Sequence, residues 1–370
     1  MDIVPFVDLA AHHEPVREDI RAAIDRVLTH GKYILGPEVE AFEEGFARFV
    51  GAKYAIGVSS GLDALRLAFE AAGVKAGDEV IVPGNTFIAT ALAVSAVGAV
   101  PVLVDCDPQT YNIDVNLIRP VITSRTRAIA PVHLYGQAAD MQPILAIAAQ
   151  YGLHVIEDAC QAHGTRYQGQ GCGSIGALGC FSFYPGKNLG GMGDGGLVTT
   201  NDETLAAAVR QRRSYGESRK YHHLEKGLNA RLDTMQAAIL GVKLPRLEQC
   251  NQARRRHAKA YAAGLAGIPG VVAPTAPTDE TAHIYHLYVI RTPRREQLQA
   301  FLHDRGIQTG IHYPIPIHRQ GAYAELASSG SRLPVTDSQA SQIVSLPMFP
   351  ELTDAQIERV CSAIDEFHRR

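Results

Sequence analysis

The sequence predicts an α/β protein: a mostly parallel central sheet with helices on both faces, followed by a smaller C-terminal α+β domain. Three observations carry this. Short, uninterrupted apolar runs alternate with helical patterns through the first part of the chain, as in KYAIGVSS-GLDALRLAFEAAG. The runs are apolar throughout rather than at every second residue, the mark of strands covered on both faces. From about Gly270 the order changes to strand, helix, proline-rich stretch and terminal helix. At 370 residues the chain is long for one core, and we expect a large domain over 1–245 and a small one over 246–370.

Glu14 to Gly31 carries Val16, Ile20, Ala23, Ile24 and Val27 at helical spacing and ends at a glycine. Pro37 to Val50 reads as a second amphipathic helix. KYAIGVSS is then a buried strand and DALRLAFEAAG a helix. EVIVP precedes a helix from Phe87 to Gly98, and PVLVDCD is a strand ending in acids. AIAPVHL, PILAIAAQYG and HVIEDAC continue the alternation. Ligands bind outside the carboxyl ends of such strands, which sends Ser60, Phe87 and Asp158 towards one crevice. RLDTMQAAILGVKLPRLEQCNQARRRHAKAYAAGLAG predicts one or two long helices, broken or kinked near Pro245. HIYHLYVIR reads as a strand, REQLQAFLHDRG as a helix, TGIHYPIPIH as extended chain and TDAQIERVCSAIDEF as the last helix.

The formal charge of −3 points to neither a nucleic-acid nor a membrane surface. The start, MDIVPFVDLAAHHEP, lacks the apolar core of a signal peptide. Ala89 to Val104 is apolar but interrupted by Gly98 and Pro101, and too short to span a bilayer. Six cysteines without a CxxC pair read as reduced thiols of a cytoplasmic protein. The pairs His12-His13 and His222-His223 lack spaced partners, so no metal site is expected.

Three motifs compete for the chemistry. Gly191 to Gly196 matches G-x-G-x-x-G, but a strand, LVTT, follows where a dinucleotide site needs a helix. Gly57-Val58-Ser59-Ser60-Gly61 matches G-x-S-x-G between strand and helix, the setting of a hydrolase nucleophile. Ser59 would attack, with Asp158, His286, His312 and His318 available downstream. The same residues also read as a phosphate cradle at a helix N-terminus. The third motif is Lys187, between the aromatic run Phe181 to Tyr184 and a glycine-rich segment. A lysine with a lowered pKa forms a Schiff base with pyridoxal phosphate. That cofactor needs a carboxylate beside its ring nitrogen, supplied here by Asp158, and phosphate donors, supplied by Ser60, Gly61, Leu62 and Ser182.

Together, FSFYPGKNLGGMGDGG, SSGLDAL, VPGNTFIAT, PVHLYGQAADM, IEDACQAHG, EKGLNARLDTMQAAIL and IYHLYVIR resemble the sugar-nucleotide aminotransferases of the DegT/DnrJ/EryC1/StrS family. The resemblance covers nearly the whole chain and implies a fold type I, pyridoxal-phosphate-dependent enzyme. It makes Lys187 the lysine that bonds the cofactor and Asp158 the partner of the ring nitrogen. Gln161 is implied beside the ring 3-hydroxyl, Phe87 on the ring face, and Ser60, Gly61, Leu62 and Ser182 at the phosphate. Asn229 would reach the phosphate from the other subunit of a homodimer. Tyr184, Arg231, Tyr313 and His318 lie where the family resemblance points for hexose and diphosphate. Other members carry threonine at Leu62, where only a backbone contact survives. One branch dehydrates sugars with histidine in place of the lysine; Lys187 favours transamination. SGLDAL and TYNID resemble members that move an amino group from L-glutamate to C3 of a nucleotide-linked 3-oxo-6-deoxyhexose, usually dTDP-linked. Amination at C4 is the alternative.

Overall fold

The computed structural model describes residues 3–328 and 332–370. Its centre is a seven-stranded sheet: β1 (Tyr54–Val58), β2 (Glu79–Pro83), β3 (Val100–Val104), β4 (Thr126–Ile129), β5 (His154–Asp158), β6 (Leu178–Ser182) and β7 (Gly196–Thr200). The spatial order is β1-β7-β6-β5-β4-β2-β3. Neighbours run parallel except around β7, which is antiparallel to both β1 and β6.

Alternate residues of each strand serve opposite faces. Val58, Val80, Val82, Ile156, Cys180 and Val198 pack against α3 (Gly61–Ala71), α4 (Ala89–Ala96) and α6 (Glu203–Arg212). On the other face, Ala55, Phe181 and Leu197 meet α2 (Pro37–Val50) and α7 (Thr234–Lys243). Ile81, Ile129 and Val155 meet α5 (Met141–Tyr151) on that side. This two-sided burial explains why the strands read as continuous apolar runs. Helix α1 (Arg17–His30) packs on α7 and ends at Gly31 with φ +67°.

A 3₁₀ turn at Leu244–Arg246 takes up Pro245, and α8 (Leu247–Leu265) follows. Leu247 belongs with the large sheet's core, whereas Ala258, Tyr261 and Leu265 belong to a second core. That second core surrounds β8 (Tyr288–Arg291), α9 (Arg295–His303), β9 (Ile343–Leu346) and α10 (Asp354–Arg369). Val4 joins it too, so the N-terminal segment packs with residues far along the chain. Thr353 and Gln356 form a reciprocal capping box at the start of α10.

The structure differs from the sequence reading in three places. The helix expected from Phe87 starts at Ala89, leaving Phe87 in the turn after β2. The strand expected over HIYHLYVIR is confined to Tyr288–Arg291, because Tyr285 takes φ +49° and Ile284 N–H bonds Gly136. Its partner β9, antiparallel to it, had no expectation at all.

Gly196 opens β7 directly against the turn after β1. A Cβ there would lie 2.2 Å from the Ser60 carbonyl oxygen. Gly196→Ala is expected to destabilise the protein by about 1–3 kcal/mol, as overpacking does. Urea unfolding of the apoprotein measures it; an unchanged midpoint would show that β1 and β7 separate freely.

Candidate active site

Ser60 caps α3, accepting the Asp63 N–H at 3.1 Å. The Ser59 and Ser60 hydroxyls both donate to the Asp63 carboxylate, at 2.5 and 3.0 Å. Gly61 and Leu62 follow, and as first residues of a helix their N–H groups have no intrahelical acceptor. Gly61 has no room for a side chain: a Cβ would stand 2.7 Å from the Cβ of Ser182. The turn therefore seats on the end of β6 and points free donors across it.

The ends of β1, β2, β5 and β6 enclose a cavity of about 330 Å³. Ser60, Gly61, Leu62, Phe87, Asp158, Gln161, Ser182, Tyr184, Lys187 and Tyr313 all line it. Asp158, at the end of β5, is buried and accepts the Thr90 hydroxyl at 2.7 Å and the Cys160 N–H at 3.2 Å. Gln161 accepts the Tyr135 N–H at 2.6 Å and donates to the Tyr313 hydroxyl at 2.9 Å. The Phe87 ring is 49% exposed despite its place on the cavity wall, and Tyr313 stands 5.0 Å from it, tilted by 37°. An exposed aromatic face there is suited to stacking on a planar ligand.

Lys187 is half-buried, and among the described residues its amine makes no hydrogen bond or ion pair. Desolvation lowers its pKa below the ordinary lysine value, with Cys160 and Asp158 opposing. A lowered pKa leaves more free amine, the form that attacks an aldehyde. The rate at which apoprotein captures pyridoxal phosphate should therefore rise with pH to a midpoint below the ~10.4 of free lysine. Stopped-flow absorbance checks this; a midpoint at or above that value would contradict it.

Three expected residues do not line this cavity. Asn229 is exposed, bridged to Ser214 beside α6. Arg231 sits at the end of β1, its guanidinium 5.4 Å from the Tyr215 ring. His318 is buried, with Nε2 3.0 Å from Asp337. Sequence reasoning missed Thr86, Cys160 and Asp194, which line the cavity, and Thr90, which supports Asp158. Thr90 could have been found, since it stands one helical turn after Phe87.

The hydrolase reading lacks a base. Ser59 is committed to Asp63, and His286 and His312 engage Asn188 and Ser345. The glycine match at 191–196 runs into β7, so it builds no helix N-terminus for a dinucleotide. Behind β5 lies a buried trio, His133, Glu157 and Cys172. The Glu157 oxygens already accept from Gly173, Ile175 and Gly176 N–H groups and face His133 Nε2 at 2.9 Å. That network fastens the loop before β6 to the strand carrying Asp158.

The cavity residues fit pyridoxal phosphate by donor chemistry. They offer an amine without a partner among the described residues for the aldehyde, a buried carboxylate for the ring nitrogen, an aromatic face, and helix N–H and hydroxyl groups for the phosphate. The family model of the DegT/DnrJ/EryC1/StrS aminotransferases matches residues 15–365. The chain belongs to this family. The aminotransferase is 49% identical over 367 residues to the dTDP-3-amino-3,4,6-trideoxy-alpha-D-glucose transaminase of Streptomyces venezuelae, covering 99% of this chain and 97% of that one. It is 46% identical over 362 residues to the UDP-2-acetamido-2-deoxy-3-oxo-D-glucuronate aminotransferase of Pseudomonas aeruginosa, covering 98% and 99%. Among solved structures it resembles S. venezuelae DesV, crystallised with a ketimine intermediate, at TM-score 0.97 and 48% identity over the full length of both chains. The aminotransferase is a fold type I enzyme, and its cofactor is pyridoxal phosphate. Among its described residues no helix is long and apolar enough to cross a membrane.

Proposed function

We propose that this aminotransferase moves an amino group from L-glutamate to C3 of a dTDP-linked 3-oxo-6-deoxyhexose, giving a 3-amino sugar and 2-oxoglutarate. The observation that carries the reading is the Lys187 amine, without a partner among the described residues, in one cavity with buried Asp158. When bound, the cofactor supplies an aldehyde that bonds amines and a ring that withdraws electrons from the reacting carbon.

Lys187 would bond that aldehyde, and its amine, when free, would take the proton from the donor α-carbon. The same amine, then protonated, would deliver that proton to the carbon that had carried the cofactor's aldehyde. Asp158 keeps the ring nitrogen protonated, and Thr90 and the Cys160 N–H hold its carboxylate in place. Phe87 would cover the ring, Gln161 would reach the 3-hydroxyl, and Ser60, Gly61, Leu62 and Ser182 would bind the phosphate. Tyr184, exposed at the cavity edge, and Tyr313 face the hexose side.

Asn229, exposed, and Arg231, half-buried against Tyr215, do not line their own chain's cavity. This supports a homodimer in which each chain offers them to its partner's site, while His318 is held by Asp337. Free cysteines throughout support a cytoplasmic location. The test is purified protein with L-glutamate and dTDP-linked 3-oxo- or 4-oxo-6-deoxyhexose, with UDP-linked counterparts alongside. Formation of 2-oxoglutarate with the 3-oxo substrate alone supports the assignment, and preference for the 4-oxo sugar sinks it.

A further inference from the structure

The residue after Lys187 is Asn188, a buried asparagine whose side chain begins a chain of hydrogen bonds the proposed chemistry leaves unused. Its Nδ2 donates to Asn251 Oδ1 in α8 at 2.9 Å. Asn251, fully buried, donates in turn to the backbone carbonyl of His163 at 2.8 Å. The His163 side chain donates from Nε2 to the Ser182 carbonyl at 2.8 Å. At the other end, His286 Nδ1 lies 3.1 Å from Asn188 Oδ1.

The direction of every bond is forced. A backbone carbonyl can only accept, so Asn251 must offer its amide N–H to His163 and its oxygen to Asn188. Asn188 must then present its oxygen to His286, whose Nδ1 carries the proton. The Ser182 carbonyl likewise places the His163 proton on Nε2, leaving Nδ1 buried without a partner. Burial first, and the nearby Lys187 charge second, push the His163 pKa down to about 3 and that of His286 well below its ordinary value. Both rings are therefore neutral beside the amine, and the chain holds without adding charge.

We infer that Asn188, Asn251 and His286 are positioning residues for Lys187, forming one hydrogen-bonded brace that ties the lysine's backbone to the end of β6 and to the segment leading into β8. The brace joins five places in the chain: the lysine loop, α8, the loop after Asp158, the end of β6 and His286, two residues before β8. A lysine with a flexible stem gains most from a backbone that cannot drift, because about 1 Å of misplacement can cost a hundredfold in rate. The inference rests on Lys187 being the cofactor lysine.

The experiment is capture of pyridoxal phosphate by apoprotein, followed by the visible absorption band across pH, with thermal unfolding of each apoprotein in parallel. Asn188→Ala and Asn251→Ala are each expected to slow capture roughly tenfold to a hundredfold. Each should also raise the pH midpoint towards that of free lysine, because a loosened loop lets water reach the amine. The double variant should be no slower than the slower single one, since one broken link opens the whole brace. His286 is half-buried, whereas Asn251 is fully buried, so His286 decides the matter if Asn251→Ala fails to fold. His286→Phe should behave like Asn188→Ala, and His286→Gln, which keeps an N–H donor, should recover most of the loss. Lower melting temperatures with unchanged capture rates and midpoints would overturn the brace. Borohydride fixing the cofactor covalently to Lys187→Ala would instead overturn the lysine assignment.

Discussion

Lys187→Ala is expected to lower kcat by on the order of 10⁴-fold while leaving a folded protein that still binds its cofactor. The variant loses the group that shuttles the proton, yet the helix N–H groups, Ser182 and Asp158 are untouched. Borohydride should attach the cofactor covalently to the wild type and not to the variant, as mass spectrometry reads directly. The apoprotein should be no less stable, because the amine is desolvated and has no partner among the described residues. Turnover at the wild-type rate would remove Lys187 from the chemistry.

Asp158→Asn is the second large effect. Cys160 N–H donates to Oδ1 and the Thr90 hydroxyl to Oδ2, so an asparagine keeps the Cys160 bond with its oxygen and its NH2 can donate to Thr90, whose hydroxyl turns to the Phe87 carbonyl; the shape is kept while the charge is lost. Without that charge the ring nitrogen is no longer held protonated. Removing one such preorganised electrostatic partner costs about 10²–10³ in kcat. Unfolding of the apoprotein should change little, which separates this loss from misfolding. A kcat within about threefold of wild type would mean that another group holds the ring nitrogen.

Residues adjacent in sequence to a strand end were the readable part of the site. Ser60, Phe87, Asp158 and Ser182 all follow or end apolar runs, and a parallel sheet sends all such ends to one edge. Tyr313 also reaches the cavity, although its surroundings in the chain are irregular; the family motifs, not periodicity, pointed to it. Arg231 and His318 show the opposite case. They neighbour motif residues, but the backbone turns them towards Tyr215 and Asp337. Asn251 was not legible at all. In sequence it is one more polar residue of a long helix, and only the packing of α8 over the lysine loop reveals its two partners. Strand β9 was missed for a related reason: SQIVSLP is short and gains its ladder only beside β8.

The position of β1 at the sheet's edge has a consequence for how the protein comes into being. Its sole ladder partner among the described residues is β7, and the register joins Tyr54 to Thr200 and Val58 to Gly196. A ribosome therefore releases the serine turn long before the strand that will hold it in place. Until residue 200 has emerged, the phosphate end of the cavity has no fixed distance from the Lys187 end. Cofactor binding by a growing chain should thus not precede β7, and it should wait further for Asn251 and His286 to brace the lysine loop and for Tyr313 to complete the cavity.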